Sequence, residues 1–350
     1  MIARRFRPSD CILGLPPLLA VVLAASATAQ DGTARGLTVA VVQTRLQLYD
    51  RAAEFAAHMA RRLEEAMEHR PQLVVLPEDI GTPLLTLGDA GLLADCQRLA
   101  EARTRLADRY RGPIEAACAR WKVSPARGLW LVKADRIREG YGATFSDLAR
   151  KHRVHIIAGS VPWAVPQKCG EVHNASCLFK PDGSLHVVAR KVHLTPLERS
   201  DGLDLSPGEP QDLRVFEVEE VKVGVLVCAD GWHGELADRL VKQGAELLVQ
   251  VSANPEVWGD GTRRGWESSL FTQVERLGVY GVVCMGVGSL FELPFQGQSQ
   301  IIAPRQPGAP RGRRPCVLRE TRSVTEEEVI SLRLEFPAPR QQCSDDSSMP

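Results

Sequence analysis

Three residues of complementary chemistry each stand close behind a short apolar segment: Glu78, Lys191 and Cys228. A thiol with an ordinary pKa of about 8.5 is only a few per cent ionised near neutral pH, so a nucleophilic cysteine needs a base or a cationic neighbour. A carboxylate can take the thiol proton. When the thiolate attacks a carbonyl carbon, the tetrahedral intermediate carries an oxyanion, which a lysine ammonium and the backbone N–H of Ala229 can stabilise. These residue types together predict acyl transfer through a thioester.

The apolar segments that precede these residues are predicted to be strands. Val221–Val227 is rich in β-branched residues, and Gln72–Leu76 and Leu185–Ala189 have the same form. In α/β proteins, the carboxyl ends of such strands carry ligands and catalytic groups. One segment alone is weak evidence, because a charge after a strand is commonly just solvated and a buried cysteine commonly packs as a small hydrophobe. The three segments together favour one active site.

Further motifs occur in an order that resembles the carbon-nitrogen hydrolase (nitrilase) superfamily and its Glu-Lys-Cys triad. The resemblance extends from Leu37 to about Pro304 and implies a four-layer α-β-β-α sandwich. No cofactor is predicted, because Gly286-Val287-Gly288 lacks the third glycine and the following helix of a dinucleotide-binding loop. The segments that carry the resemblance are 37–43, 73–78, 158–162, 173–175, 181–183, 191–194, 228–235 and 297–302.

The resemblance implies a role for each triad residue. Glu78 would be the general base, Lys191 the cation that stabilises the oxyanion, and Cys228 the acylated nucleophile. Glu198, seven residues after the lysine, resembles a second glutamate found beside the triad. Its role stays open between orienting the lysine and substrate and forming a structural salt bridge. The implied reaction is hydrolysis of a small-molecule linear amide.

Departures from the family pattern bear on the substrate. Ala229 stands where nitrilases have Trp and many amidases have Tyr, which disfavours nitrile cleavage. Trp232 and His233 replace an Arg-Phe pair, and Asn254 lies at a strand end that shapes the acyl pocket. We predict that these four residues contact the substrate. An N-acyltransferase, in which an amine replaces water, and a catalytically inactive binding protein on the same fold remain alternatives.

The long segment between Glu78 and Gly159 contains predicted helices at Leu92–Arg111 and Ile114–Trp121. An insertion just after the base would lie near the mouth of the site. Residues 90–121 could therefore form a lid, or they could be ordinary surface helices.

The rest of the chain alternates helical and strand patterns, which predicts an α/β fold for residues 36–338. The formal net charge is zero, which argues against nucleic-acid binding. The family resemblance implies a homodimer or higher homo-oligomer. Residues 339–350 have the composition of a disordered tail. The predicted helices are 49–69, 143–151 and 235–243, and further predicted strands are 154–158 and 246–251.

The N-terminus has the pattern of a secretory signal peptide. Met1–Arg7 is basic, Leu18–Ala25 is apolar, and small residues precede a predicted cleavage after Ala29. Residues 1–29 would thus be removed from a secreted or periplasmic protein. The apolar stretch is short for a stable membrane span, and no later segment approaches 18 continuous apolar residues.

Export would make disulfides relevant. The cysteines could pair as Cys169 with Cys177, Cys316 with Cys343, or Cys96 with Cys118. Other pairings stay open, because the spacing of cysteines does not determine which of them are bonded. Cys284 lies in an apolar run and is predicted to be a core residue. Pairs of histidines such as His152 with His155, or His186 with His193, lack a matching ligand cluster, so no metal site is predicted.

Overall fold

The computed structural model describes residues 35–165, 170–305 and 316–337. The predicted signal peptide, the predicted tail, Cys169 and Cys343 lie outside these ranges. The strands are β1 (Arg35–Leu46), β2 (Leu73–Val75), β3 (His155–Ala164), β4 (Val172–Phe179), β5 (Leu185–Arg190), β6 (Phe216–Val218), β7 (Val221–Val227), β8 (Leu247–Ala253), β9 (Tyr280–Leu290), β10 (Leu293–Phe295), β11 (Gln300–Ala303), β12 (Cys316–Glu320) and β13 (Glu328–Phe336). The helices are α1 (Ala52–Met67), α2 (Ala90–Leu93), α3 (Leu99–Arg109), α4 (Arg111–Trp121), α5 (Pro125–His152), α6 (Gly234–Lys242), α7 (Asp260–Glu267) and α8 (Leu270–Leu277).

Strand β1 belongs to two sheets. Its middle pairs in parallel with β2, and most of its length pairs antiparallel with β13. Its last residues, Thr44–Leu46, pair in parallel with β9. One sheet therefore has the order β5-β4-β3-β2-β1-β13, and the other continues as β9-β8-β7-β6. The triad residues come from both sheets, because β2 and β5 lie in the first and β7 in the second.

Alternation along β1 separates the faces of the first sheet. Leu37, Val39 and Val41 join the core between the two sheets, whereas Ala40 and Val42 join the core beneath the helices. This is the two-residue period expected of a strand buried on both faces. The thiol of Cys284 lies in that inter-sheet core, as predicted.

Helices cover the outer face of each sheet. Rings from α1, α5 and β4 meet edge to face, with centroids 5.0 Å apart for Tyr141 and Phe145 and 5.8 Å apart for Phe55 and Phe145. On the second sheet, α6 buries its apolar side and α8 packs beside it. The resulting layers are helix, sheet, sheet and helix, so the predicted α-β-β-α sandwich is confirmed.

Helix α5 is much longer than predicted, since the sequence indicated only 143–151. Glycines within residues 125–142 weaken a helical pattern. Here Gly128 serves close packing, because a Cβ at that position would lie 3.0 Å from the sulfur of Cys118 on α4. Ser124 caps the first turn by accepting a hydrogen bond from the Arg127 N–H at 3.2 Å, and Pro125 begins the helix.

The helices predicted within 92–121 are present as α2, α3 and α4. Their inner sides share a small core with the start of α5, formed by Leu93, Leu106, Ile114 and Leu129. They are therefore more than a solvated surface layer. Within the described ranges, no helix is both long and apolar enough to cross a membrane.

Two predicted disulfides are not formed. Cys96 and Cys118 are separate free thiols that pack into the core of the inserted helices. Cys177 is also free and fully buried in the middle of β4. In each case the cysteine packs as a small apolar side chain. The Cys316–Cys343 pairing involves residues outside the described side chains and stays a prediction.

Candidate active site

The turn that carries Glu78 is fixed by strand β3. Gly159 has a φ of +61°, and a Cβ there would lie 1.8 Å from the carbonyl oxygen of Pro77, so only glycine fits. The next residue, Ser160, accepts a hydrogen bond from the Asp79 N–H at its hydroxyl, at 2.9 Å. The Gly-Ser strand end thus sets the position of the glutamate.

Both carboxylate oxygens of Glu78 are bound. Oε1 accepts from Lys191 Nζ at 2.8 Å and from Asn174 Nδ2 at 2.9 Å. Oε2 accepts from the Ala253 N–H at 3.0 Å. The side chain is only 2% exposed. These contacts join the ends of β2, β4 and β8 at one point.

The ammonium of Lys191 lies between two carboxylates. Besides Glu78, it contacts Glu198 Oε2 at 2.7 Å. That oxygen also accepts from the N–H and hydroxyl of Thr195, and Oε1 accepts from Asn174 Nδ2 at 2.8 Å. Glu198 is therefore a direct partner of the lysine and helps to fix its position.

Cys228 begins a short 3-10 helix at the end of β7. Its φ is +46°, an uncommon conformation for a non-glycine residue that turns the chain sharply. The carbonyl of Cys228 accepts from Gln250 Nε2 at 2.8 Å, and Gln250 Oε1 accepts from the Ser269 hydroxyl at 3.1 Å. A Cβ at Gly231 would collide with that glutamine, at 2.4 Å from Nε2. These contacts of Gln250 fix the backbone of the turn, and so they fix the position from which the Cys228 side chain extends.

Asp230 connects this turn to the lysine segment. Its carboxylate is fully buried and accepts from the backbone N–H groups of Val192 and His193, the latter at 2.8 Å. It also contacts His193 Nδ1 at 3.1 Å. The residue two positions after the thiol thereby sets the distance between the strand ends that carry Cys228 and Lys191.

The predicted triad lines one cavity of about 380 Å³. Glu78, Lys191 and Cys228 all face it, and Glu198 lies beside them. The sulfur, the acid and the amine that are distant in the sequence are thus brought together in a space that opens to the surface beside half-exposed Trp232.

Burial and neighbouring charges shift the titration of this cluster. Burial, with smaller contributions from Asp79 and Glu198, raises the pKa of Glu78 to about 8, although Lys191 opposes the shift. Burial and the nearby Glu78 carboxylate raise the pKa of the Cys228 thiol well above its usual range. Burial disfavours the charged form of Lys191, but Glu78, Cys228 and Glu198 outweigh it and hold the lysine pKa high. The arrangement therefore combines a protonated thiol, a weakly acidic carboxyl group and a permanent cation.

Three of the four residues predicted to contact the substrate line this cavity: Ala229, Trp232 and Asn254. Trp232 packs edge to face on Trp266, with ring centroids 4.7 Å apart. Asn254 is less free than predicted, because its Nδ2 donates to two backbone carbonyls, at 3.0 Å each. Its amide group shapes the wall of the cavity.

His233 does not line the catalytic cavity. In a 3-10 helix, residues three apart share a face, which places 229 and 232 together and turns 233 away. Its ring stacks on His193, with centroids 3.3 Å apart and planes 4° apart. The predicted substrate contact is therefore not supported by this position.

His193, His233 and Glu235 form a group that the sequence did not reveal, with possible ligand atoms within 4.8 Å of one another. One nitrogen of His193 is already engaged by Asp230. The rings are stacked face to face, and Glu235 Oε1 lies 3.8 Å from His193 Nε2 and 3.5 Å from His233 Nδ1.

Sequence reasoning did not assign Asn174 and Asp230 to the site. Asn174 lies in the family-like segment 173–175, and together with Ala175 and Ser176 it forms an Asn-X-Ser glycosylation sequon. Its amide is 1% exposed and donates to both glutamates, so it is inaccessible to modification in the folded chain. Asp230 was visible as an acid two residues after the thiol, but its partners are backbone groups of a distant segment.

A family model for carbon-nitrogen hydrolases matches residues 38–306, well over half of the chain. The chain belongs to the carbon-nitrogen hydrolase family. The sequence-based recognition is thereby confirmed, and the match begins in β1 and extends past β11.

Curated relatives are similar over shorter segments. The omega-amidase NIT2 of Danio rerio is 33% identical over 132 residues, which are 36% of this chain and 46% of that protein. The omega-amidase NIT2 of Homo sapiens is 30% identical over 114 residues, 31% of this chain and 40% of that protein. A probable nitrilase of Schizosaccharomyces pombe is 32% identical over 161 residues, 46% and 56% of the two chains. The carbon-nitrogen hydrolase described here thus spans about half of the length of the curated relatives it matches.

Solved structures are similar over most of their length. Nit3 of Saccharomyces cerevisiae, a nitrilase-superfamily member, has 22% identity and a TM-score of 0.57, covering 86% of this chain and 90% of that one. A carbon-nitrogen hydrolase from Helicobacter pylori has 20% identity and a TM-score of 0.58, covering 85% and 89%. A double mutant of an amidase from Nesterenkonia sp. AN1, in complex with acrylamide, has 18% identity and a TM-score of 0.56, covering 85% and 90%. At these identities the similarity shows the shared fold.

Proposed function

We propose that this protein hydrolyses the C–N bond of a linear amide through a thioester on Cys228. The observation that carries the proposal is the convergence of Glu78, Lys191 and Cys228 on one cavity. The names of the curated relatives, which include omega-amidases, support the amide class. The small Ala229 beside the thiol, in place of a nitrilase tryptophan, favours an amide over a nitrile.

In the first half-reaction, the Cys228 sulfur attacks the amide carbonyl carbon while Glu78 takes the thiol proton. A carboxyl group with a pKa near 8 is suited to this transfer at neutral or mildly alkaline pH. The carbonyl oxygen becomes an oxyanion, which Lys191 and the Ala229 N–H stabilise. The C–N bond then breaks, protonated Glu78 gives its proton to the leaving nitrogen, and a thioester remains.

In the second half-reaction, water attacks the thioester and Glu78 takes one of its protons. The new tetrahedral intermediate uses the same oxyanion donors. The C–S bond breaks, the carboxylic acid leaves, and the thiol regains its proton from Glu78. Glu198 and Asn174 hold Lys191 and Glu78 in place throughout, because each contacts the reacting groups by hydrogen bonds of 2.7–2.9 Å.

The test compares wild type, Cys228→Ala and Cys118→Ala on a panel of linear amides and nitriles. Cys118 is a half-buried free thiol outside the catalytic cavity, so its variant is a matched control. We expect wild type and Cys118→Ala to release ammonia and to show an acyl adduct on the intact protein by mass spectrometry. Cys228→Ala should show neither.

Three outcomes would change the proposal. Product that forms only when an acceptor amine is added, without free acid, would identify an N-acyltransferase. Retained amide binding without any adduct or turnover would identify a binding protein. Turnover by Cys228→Ala at the wild-type rate would exclude the thioester route.

We also propose that the mature protein is secreted or periplasmic and begins after Ala29, on the strength of the basic and apolar N-terminal pattern. N-terminal sequencing of protein made from the full gene tests this, and a mature chain that starts at Met1 would contradict it.

We propose a homodimer or higher homo-oligomer, which light scattering coupled to gel filtration would measure.

A further inference from the structure

A second cavity, of about 100 Å³, adjoins the catalytic one. Four residues line both: Asp79, Leu197, Leu203 and Phe295. Asp79 directly follows the proposed base, and Leu197 directly precedes the second glutamate. The two cavities are thus separated by single side chains at the reacting end of the site.

The inserted helices build one wall of this second cavity. Ala102 and Leu106 on α3 and Leu129 on α5 face it, and the opposite wall comes from the end of β9 and from β10. Residues 90–130 therefore act on the site by enclosing space beside it. This is a different role from the lid that the sequence suggested.

Arg103 of α3 is half-buried and also lines this cavity, whereas three other polar residues of the lining, Thr82, Thr86 and Trp130, donate hydrogen bonds within the protein. The Thr82 hydroxyl donates to Asp79 Oδ1 at 2.7 Å, and the Thr86 hydroxyl donates to the carbonyl of Pro83 at 2.8 Å. The indole N–H of Trp130 donates to the Leu203 carbonyl at 3.0 Å. Burial raises the pKa of Asp79, which favours its uncharged form. The cavity therefore offers a ligand mainly carbon surface.

We propose that this cavity binds an apolar group of the substrate's acyl part, so that the preferred substrates are medium-length alkyl or phenylalkyl amides. The proposal rests on the proposed function and adds the substrate class. The volume of the second cavity, about 100 Å³, is of the right order for such a group. An engineered cavity of roughly 150 Å³ lined by aliphatic and aromatic side chains binds benzene.

The acyl part is favoured over the leaving amine because the two parts leave the site at different times. The amine must reach solvent before water attacks, and the catalytic cavity opens beside exposed Pro255 and Glu256 and half-exposed Trp232. The acyl group stays bonded to sulfur until the second half-reaction. An inner cavity bounded by packed helices can hold the acyl group while the thioester awaits hydrolysis. The same cavity would slow the release of the amine, which has to leave first.

The first measurement is kcat/KM for a series of primary amides from acetamide to octanamide, with 3-phenylpropanamide added. Each methylene that moves from water into an apolar site contributes about 0.8 kcal/mol, which is about a threefold to fourfold gain per carbon. We expect kcat/KM to rise at about this rate until the cavity is filled and then to level off. A series that is flat, or that falls beyond acetamide, would overturn the proposal.

The second measurement uses variants that fill the cavity. Ala126 lies on α5, half-buried, at the edge of the second cavity, so Ala126→Trp should occupy that space without breaking the core. Ala134→Trp makes the same change at a half-buried position of α5 that is not part of either lining. We expect Ala126→Trp to lower kcat/KM for hexanamide at least tenfold and for acetamide less than twofold, with no such split in Ala134→Trp.

Failure of this proposal differs from failure of the proposed function. If no amide is turned over and no adduct forms on Cys228, the proposed function fails. If acetamide is hydrolysed and Ala126→Trp affects all chain lengths equally, only the acyl cavity fails. Calorimetric binding of hexanamide to Cys228→Ala, with and without Ala126→Trp, gives a readout that does not depend on turnover. Equal affinity in the two proteins would also overturn the cavity proposal.

Discussion

Among the residues that the structure describes, two lysines are buried, Lys191 and Lys133, and their surroundings differ. Lys191 lies between Glu78 and Glu198, beside a thiol and an open cavity. Lys133, on α5, contacts Asp89 Oδ2 at 2.5 Å, the Tyr110 hydroxyl at 3.1 Å and a backbone carbonyl at 3.1 Å. Both ammonium groups are at most 3% exposed.

The difference lies in charge balance and access. Lys133 meets one carboxylate and two neutral acceptors, so its three N–H donors are satisfied and its charge is matched. Lys191 meets two carboxylates, with Asp79 and Cys228 nearby, so the cluster has more acidic groups than cations. A matched buried pair holds helices together. An unmatched cluster beside a cavity keeps a proton available for transfer.

The largest expected effect is on activity at Lys191. Lys191→Met should lower kcat/KM for a primary amide by about 10³-fold, because it removes a main donor to the oxyanion. Lys133→Met, measured by the same ammonia assay per folded molecule, should stay within about twofold of wild type. Similar losses in the two variants would erase the distinction between the two lysines.

The next effect is on stability at Lys133. Lys133→Met should lower the free energy of unfolding by about 3 kcal/mol, because the buried Asp89 carboxylate would keep only the Tyr110 hydroxyl and the exposed Arg109, whose Nε lies 3.9 Å away. Adding Asp89→Asn should recover part of this loss by removing the uncompensated charge. Urea unfolding monitored by circular dichroism measures both. A double variant no more stable than Lys133→Met would contradict the charge argument.

A third effect is the pH dependence that Glu78 gives to activity. Glu78 must be ionised to accept a proton, so kcat/KM should fall about tenfold per pH unit below its pKa of about 8. A pH profile of kcat/KM from pH 4 to 9 measures this. An acidic limb near pH 4.5, the ordinary value for a glutamate, would contradict the raised pKa.

The same group should affect stability in the opposite direction. Because the folded-state pKa of Glu78 is raised, its contribution to stability is fully present below about pH 4.5 and is lost as pH rises through about 8. The Glu78→Gln variant should therefore lose less stability than wild type between pH 5 and 8, by on the order of a few kcal/mol. Urea unfolding at a series of pH values tests this, and equal slopes for the two proteins would count against it.

The smallest expected effect concerns access. Trp232 is 38% exposed at the mouth of the catalytic cavity. Trp232→Ala should raise KM for a primary amide by about fivefold, because the truncation removes partly buried apolar contact, and should leave kcat nearly unchanged. Steady-state kinetics separate the two constants. A loss confined to kcat would instead assign Trp232 to positioning of the Cys228 turn.

Local patterns were sufficient to predict several of the strands and to single out the acid, the amine and the thiol that follow three of them. Val221–Val227 is the strand that the β-branched run indicated, and the acid, amine and thiol follow strands as expected. The predicted helix at 143–151 was too short because glycines earlier in α5 weaken the helical pattern in the sequence. At Gly128 the glycine is instead required by close packing against α4, a contact that the local sequence does not reveal. The predicted bridge between Cys96 and Cys118 was wrong because spacing alone carries no information about which side chains meet.

Residue type and two-residue periodicity are local properties, so they indicate which chemical groups are available and which strands carry them. The packing of the folded chain sets which of these groups are in contact. The pairing of Asn174 with both glutamates, the anchoring of the Lys191 segment by Asp230, and the apolar cavity beside Asp79 all join segments far apart in the chain. Such contacts depend on how two sheets and an inserted set of helices pack, which no single segment specifies.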